Sequence, residues 1–251
     1  MRGFRRFLIV FMSVSAFIAV GAAVFLTTRS PLFVIQAVEL AEQPDEAPVD
    51  AQTILRLAAV PTGKISLFEL DLFEVERRIL ANPWVEEVYL QKRFPQTLSI
   101  AVRYREPVAL IQTKKQGLRY VDVRGGVFGA VTLMYQPDLP LLSHFDSAEQ
   151  RIPEAIQLIR DWQNSPVGKD AEIASIVWDG EKGFRALTSY LLRGGKHRVM
   201  VDLGMESGLV LKSNLEHLAR VLRYLSHRGI AARQVWADAG KKIVVKTARG
   251  S

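Results

Sequence analysis

The chain has 251 residues and a formal net charge of +7, enough sequence for a membrane segment and two small domains. It contains no cysteine, which excludes a disulfide framework, thiolate metal sites and a cysteine nucleophile but leaves an extracytoplasmic location open. Residues 1–107 carry 12 basic and 12 acidic side chains and residues 108–251 carry 21 and 14; the whole basic excess lies in the second half, where it suits a membrane surface, an acidic partner or a cell-wall polymer, or serves only as a solvated surface.

Residues 1–6 form a short basic tail with Arg2, Arg5 and Arg6. Residues 7–26 are twenty residues without a charge; at about 1.5 Å of rise per residue, a helix of that length spans the ~30 Å hydrocarbon core. The arginines before the run outnumber the single Arg29 after it, so the positive-inside rule places the N-terminus in the cytoplasm and the bulk outside, as a single-pass type II protein. A cleaved signal peptide with Ala19–Ala23 as its cleavage region is the competing reading. Against it, a signal h-region is about 7–15 residues and this apolar run continues through Leu26.

The residues from Pro31 to Leu40 read as a strand with Phe33, Ile35 and Val38 inward. Asp50 is placed to cap a helix over 51–59 with Ile54, Leu57 and Ala58 inward, ended by Pro61-Thr62-Gly63. Asp71-Leu72-Phe73-Glu74 has capping-box spacing, an acceptor at the N-cap and a carboxylate at N3. Leu72, Val75 and Ile79 share the inner face of the helix it opens, and Asn82-Pro83 stops it. A hairpin follows. Trp84–Arg93 pairs with Thr97–Arg105, Leu98, Ile100, Val102 and Tyr104 point to one face, and Pro95 sits in the connection because it has no amide to donate. Val85 is out of phase with Val88, which predicts a bulge near Glu86-Glu87. Strand, helix, helix, strand, strand is a workable minimal core, with two amphipathic helices on one sheet face.

In that order, Gly63-Lys64-Ile65-Ser66-Leu67-Phe68-Glu69-Leu70-Asp71, Asn82-Pro83-Trp84-Val85, Arg93-Phe94-Pro95-Gln96-Thr97-Leu98 and Arg105-Glu106-Pro107-Val108-Ala109 resemble the FtsQ/DivIB family of bitopic bacterial division proteins. Residues 31–107 accordingly resemble a POTRA (polypeptide-transport-associated) domain. A short tail before the span and little sequence after the last strand lean towards the FtsQ type.

Residues 108–248 read as a second, mainly antiparallel β domain with packed helices, making the whole an α+β protein. Leu118–Asp122 and Val127–Val131 flank Arg124-Gly125-Gly126 as a hairpin. Leu139-Pro140-Leu141-Leu142-Ser143 resembles the family's LPLL-type segment. Pro153–Asn164 is a helix with Ile152, Ile156, Ile159 and Trp162 inward. Ile173–Trp178, Phe184–Leu192 and Val199–Leu203 read as strands. Leu211, Leu215, Leu218, Leu222 and Leu225 recur at spacings of 4, 3, 4 and 3, one helical stripe ended by Gly229. Two heptads suit packing on the domain's own sheet better than a coiled coil with a partner. Ala232–Ala237 and Lys241–Thr247 close the chain as strands around Ala239-Gly240.

No GxSxG, SxxK, HExxH or phosphate-loop pattern occurs, and His144, His197, His217 and His227 are scattered; the expectation is no catalysis, no cofactor and no metal. Nor is there a nucleic-acid-binding pattern. The resemblance implies a non-enzymatic scaffold in the cell inner membrane at the division septum. It implies binding to FtsB, with FtsL, through the last strand region, and contacts with FtsK, FtsW and FtsI through the POTRA domain or the span, so that septal peptidoglycan synthesis is regulated. A terminal strand with one free edge accepts a partner strand by β-augmentation. The candidate residues are Gln234, Trp236, Asp238, Gly240, Lys241, Lys242, Ile243, Val244 and Val245. The family's usual Asp-x-Arg-Tyr is replaced here by Gln234-Val235-Trp236-Ala237, which puts the individual side-chain contacts in doubt. Trp236 and Lys241-Lys242 are the local hot-spot candidates, with Trp236 as a core residue the alternative. Two other function classes stand beside this one: a POTRA module for protein transport or outer-membrane assembly, which requires a barrel or repeated POTRA units, and a periplasmic cell-wall enzyme, which requires an acid/base or nucleophile constellation.

Overall fold

A computed structural model describes residues 11–12, 14–21, 25, 30–131, 137–205, 208–238 and 242–247, which fall into two units, Met1–Arg105 and Glu106–Ser251. The basic tail, residues 7–10, 13, 22–24 and 26 of the expected membrane span, residues 27–29, Gly240 and Lys241 lie outside the described residues. Within the apolar run, the described residues are helical, with Phe11, Phe17, Ile18 and Val20 exposed. Among the described residues no helix is long and apolar enough to cross a membrane.

The first unit begins with a 3-10 turn at Pro31–Phe33, where the Ser30 hydroxyl accepts the Leu32 N–H. Proline at the first position and serine at the cap favour a helical turn. The strand expected from Pro31 therefore starts late, as β1 (Ala37–Leu40). The helix α1 (Ala51–Ala58) has the expected Asp50 cap, whose carboxylate accepts the Thr53 N–H at 2.9 Å. The helix α2 (Leu72–Leu80) is capped by Asp71, which accepts from the N–H groups of Phe73 and Glu74. Only half of the capping box closes: Glu74 pairs instead with Arg77 at 2.7 Å, one turn on.

The hairpin forms as β2 (Val85–Arg93) and β3 (Thr97–Tyr104), antiparallel, with Val88 opposite Val102 and Leu90 opposite Ile100. Its register shifts between Val85 and Glu87, which is the predicted bulge. The strand order is β1-β3-β2, with β1 parallel to β3. Ile54 and Ala58 of α1, Val75 and Ile79 of α2, and Leu98 and Ile100 of β3 are buried together with Ile35.

The second unit opens one residue before Pro107, the first residue of β4 (Pro107–Thr113). It continues with β5 (Gly117–Asp122), β6 (Val127–Ala130), β7 (Leu141–Ser143), α3 (Ile152–Gln163), β8 (Glu172–Asp179), β9 (Gly183–Leu192), β10 (Gly195–Gly204), α4 (Gly208–Arg228), β11 (Ala232–Trp236) and β12 (Val244–Thr247). All eleven except the two helices join one sheet in the order β12-β11-β10-β9-β8-β7-β4-β5-β6. The sheet is mainly antiparallel, as expected, but mixed: five of its eight pairings are antiparallel, whereas β7 is parallel to both β4 and β8 and β11 is parallel to β10. Each parallel step is a crossover made by a longer connection, and α4 makes the last of them.

One sheet face buries α3 and α4. Ile152, Ile156, Ile159 and Trp162 of α3 and all five stripe leucines of α4 share a core with Ile176, Ala186, Val199, Val201 and Val235. The buried Trp162 indole N–H donates to the Ala171 carbonyl at 2.7 Å. The leucine stripe thus packs on its own sheet. Replacing Leu218, fully buried in α4, with Ala is expected to cost about 2–5 kcal/mol of stability in urea unfolding. Leu209→Ala, on the same helix but 85 % exposed, should stay within about 0.5 kcal/mol of wild type.

Candidate functional site

The large sheet has two ends. At one, β6 is irregular: its register against β5 shifts between Arg119 and Tyr120, and Gly129 has φ of 44°. Such a kink blunts an edge against further pairing. At the other, β12 runs antiparallel to β11 with Trp236–Val244, Val235–Val245 and Gln234–Lys246 in step; the register shifts between Ala232 and Gln234, where the extra residue is on β11 and not on β12. Among the described residues nothing pairs with its far side. Lys246 is the one charge on β12, so little but the backbone marks this edge.

Strand alternation sorts the candidate side chains onto two faces. Val235 is fully buried on the helix-covered face, with Ile243 and Val245 packed against the same core. Gln234, Trp236 and Val244 lie on the opposite, uncovered face, where Gln234 and Trp236 are half-buried and Val244 is 51 % exposed. Trp236 is therefore not a core residue. Lys242 and Asp238 are exposed. A Cβ at Gly204, whose φ is +72°, would sit 2.8 Å from the Asp238 Cβ, so glycine is needed for the chain to leave β11 across the end of β10. Of the nine predicted residues, seven are described and surround this edge; Gly240 and Lys241 are outside the described residues.

Residues 47–105 match the family described as POTRA domain, FtsQ-type. A cell division protein FtsQ of Geobacter sp. (strain M21) is 30 % identical over 230 residues, 88 % of this chain and 78 % of that protein. The chain belongs to the FtsQ family of cell division proteins. FtsQ of Geotalea daltonii is 27 % identical over 241 residues, 91 % of this chain and 82 % of the relative, and FtsQ of Myxococcus fulvus is 27 % identical over 221 residues, 84 % and 72 %.

This FtsQ-family chain holds its edge strands in place with polar groups that sequence reading missed. Asp202 on β10 is buried on the uncovered face, where its carboxylate accepts from Arg185 Nε at 2.6 Å and from the Gln234 side-chain amide. A charged residue inside the apolar run Val199–Leu203 was the available signal. At the start of β11, the Tyr190 hydroxyl donates to the Ile230 carbonyl at 2.7 Å and accepts the Ala232 N–H at 2.8 Å. His197 Nε2 lies 2.8 Å from the Ala232 carbonyl oxygen, which can only accept, so that nitrogen carries the proton. Burial pushes the Tyr190 hydroxyl up from its ordinary value, partly offset by the Ala232 N–H, and keeps it protonated as the donor. Among the described residues, no group of three histidines or carboxylates is placed to hold a metal ion.

Removing Arg185 strands a buried carboxylate. Arg185→Leu is expected to lower stability by about 2–4 kcal/mol, below the usual cost of breaking a buried pair because Arg185 is partly exposed. The double variant Arg185→Leu with Asp202→Leu should recover most of that loss in the same chemical denaturation experiment.

Proposed function

We propose that this chain is a membrane-anchored division scaffold that binds its partner by lending the open edge of β12. The partner is FtsB, held with FtsL, and no chemistry is assigned to the chain itself. Residues 7–26 span the inner membrane with the N-terminus in the cytoplasm, and both units lie in the periplasm at the septum. The first unit and the span are free to contact FtsK, FtsW and FtsI, and through these contacts the scaffold regulates septal peptidoglycan synthesis. Support for the anchor comes from the uncharged run, of which the described part is helical with apolar side chains outward.

The observation that carries the proposal is the β12 edge, unpaired among the described residues and with one charge in its four residues, beside an apolar strip of Trp236 and Val244. A net ~0.5–1.5 kcal/mol per main-chain hydrogen bond makes a four-residue strand a weak site alone. The remaining affinity comes from anchors next to it, with Trp236 as the aromatic anchor and Lys242 as the adjacent cation. Main-chain recognition also explains how the family's usual side chains at 234–237 can be exchanged without losing the mode of binding.

Proline cannot donate to a ladder and fits poorly in a paired strand. In a titration of the full chain with the periplasmic part of FtsB, Val244→Pro should weaken binding by about tenfold or more, the equivalent of ~1.4 kcal/mol. Val244→Thr, which keeps the backbone, should stay near wild type. Unchanged affinity of a folded Val244→Pro chain would contradict the edge assignment.

A further inference from the structure

We infer that Phe33, Phe68 and Phe94 form an aromatic foot that seats the first unit on the interfacial layer of the lipid bilayer. The inference rests on the reading of residues 7–26 as a membrane anchor. The three rings come from three separate segments: the 3-10 turn at Pro31–Phe33, the connection between α1 and α2, and the turn between β2 and β3. They meet as one cluster, with centroids 5.0 Å apart for Phe33–Phe68, 5.2 Å for Phe68–Phe94 and 6.1 Å for Phe33–Phe94. None of them belongs to the unit's core. Phe68 is 44 % exposed and Phe94 56 %, and Leu32, on the same turn as Phe33, is 67 % exposed.

Backbone hydrogen bonds hold the three segments together at one end of the small sheet. The Leu67 N–H donates to the Phe33 carbonyl at 2.8 Å, and the Gln36 N–H donates to the Gln96 carbonyl at 2.9 Å. This is also the end at which the chain arrives from the apolar run. Leu26, the last residue of that run, is six residues before Leu32. Six extended residues reach at most about 20 Å, so the foot is leashed close to the membrane surface.

Three phenylalanines clustered edge to face or tilted, two of them exposed and none with a core role, mark a surface for a partner of apolar chemistry. At ~150–250 Å² for a whole aromatic side chain, the exposed parts of Phe68 and Phe94 amount to roughly 200 Å². That is well short of the ~800 Å² per partner of a stable protein interface, but it suits shallow insertion of apolar side chains among lipid headgroups. Lys64, exposed in the same connection, adds a cation suited to anionic lipid.

The chain's lack of cysteine permits single-site labelling. Full-length chains carrying a nitroxide at Phe94→Cys, or at Glu46→Cys in the exposed loop beyond the opposite end of β1, are reconstituted in phosphatidylethanolamine–phosphatidylglycerol vesicles at low protein density and recovered by flotation. Collision with oxygen is compared with collision with a water-soluble nickel chelate. The expected result is a several-fold higher oxygen-to-nickel ratio at 94 than at 46, falling towards the ratio at 46 when Phe68→Ser is added to the Phe94→Cys chain. Equal, water-like ratios at both sites in floated chains would overturn the foot and leave the anchor standing. So would low collision with both reagents at 94, the sign of a protein contact, or a ratio unmoved by Phe68→Ser. Chains that do not float with the vesicles would overturn the anchor, and the foot with it.

Discussion

Everything at the far end of the large sheet depends on the burial of one helical stripe. Leu211, Leu215, Leu218, Leu222 and Leu225 are all buried against the sheet, and at ~1.5–3 kcal/mol for each buried leucine they contribute on the order of 10 kcal/mol before the entropy of ordering is subtracted. That burial commits α4 to lie across the sheet and return the chain beside β10, and β11 accordingly enters parallel to β10. Tyr190 and His197 then clamp Ala232 through both its backbone groups, setting where β11 begins. β12 then pairs antiparallel with β11 and is the sheet's edge among the described residues.

The uncovered face next to that edge is polar at depth and apolar at the rim. Asp202, Arg185 and Gln234 satisfy one another inside, and Trp236 and Val244 flank them towards β12. A buried carboxylate is tolerable only with partners, so the network ties β9, β10 and β11 together in one geometry. That fixes the geometry of β11, the strand on which β12 pairs.

Residues 37–105 of the first unit were largely legible in the sequence because their signals are local. Asp50 and Asp71 sit directly before apolar residues at helical spacing, the hairpin alternates strictly, and one residue out of phase marked the bulge. The misreadings in that unit were also local: Ser30-Pro31 nucleates a turn where a strand was expected, and Glu74 prefers a nearby arginine to the cap. The second unit was legible as elements but not as topology. Nothing within Leu141–Ser143 announces a strand sandwiched in parallel between β4 and β8, since that pairing joins segments far apart in sequence. Likewise the Asp202–Arg185–Gln234 cluster depends on register across three strands. The candidate edge was legible only as a terminal strand. That Trp236 faces away from the core, and that the extra residue falls within β6 at one end of the sheet but on β11 and not β12 at the other, are properties of the assembled sheet.

Hydrogen–deuterium exchange on the full chain, with and without saturating periplasmic FtsB, tests the edge-pairing proposal most directly. Augmentation of the sheet predicts new protection concentrated in the amides of Val244–Thr247, with smaller changes around Trp236. Protection confined to the first unit or to the exposed side of α4, with Val244–Thr247 exchanging as in the free chain, would contradict it.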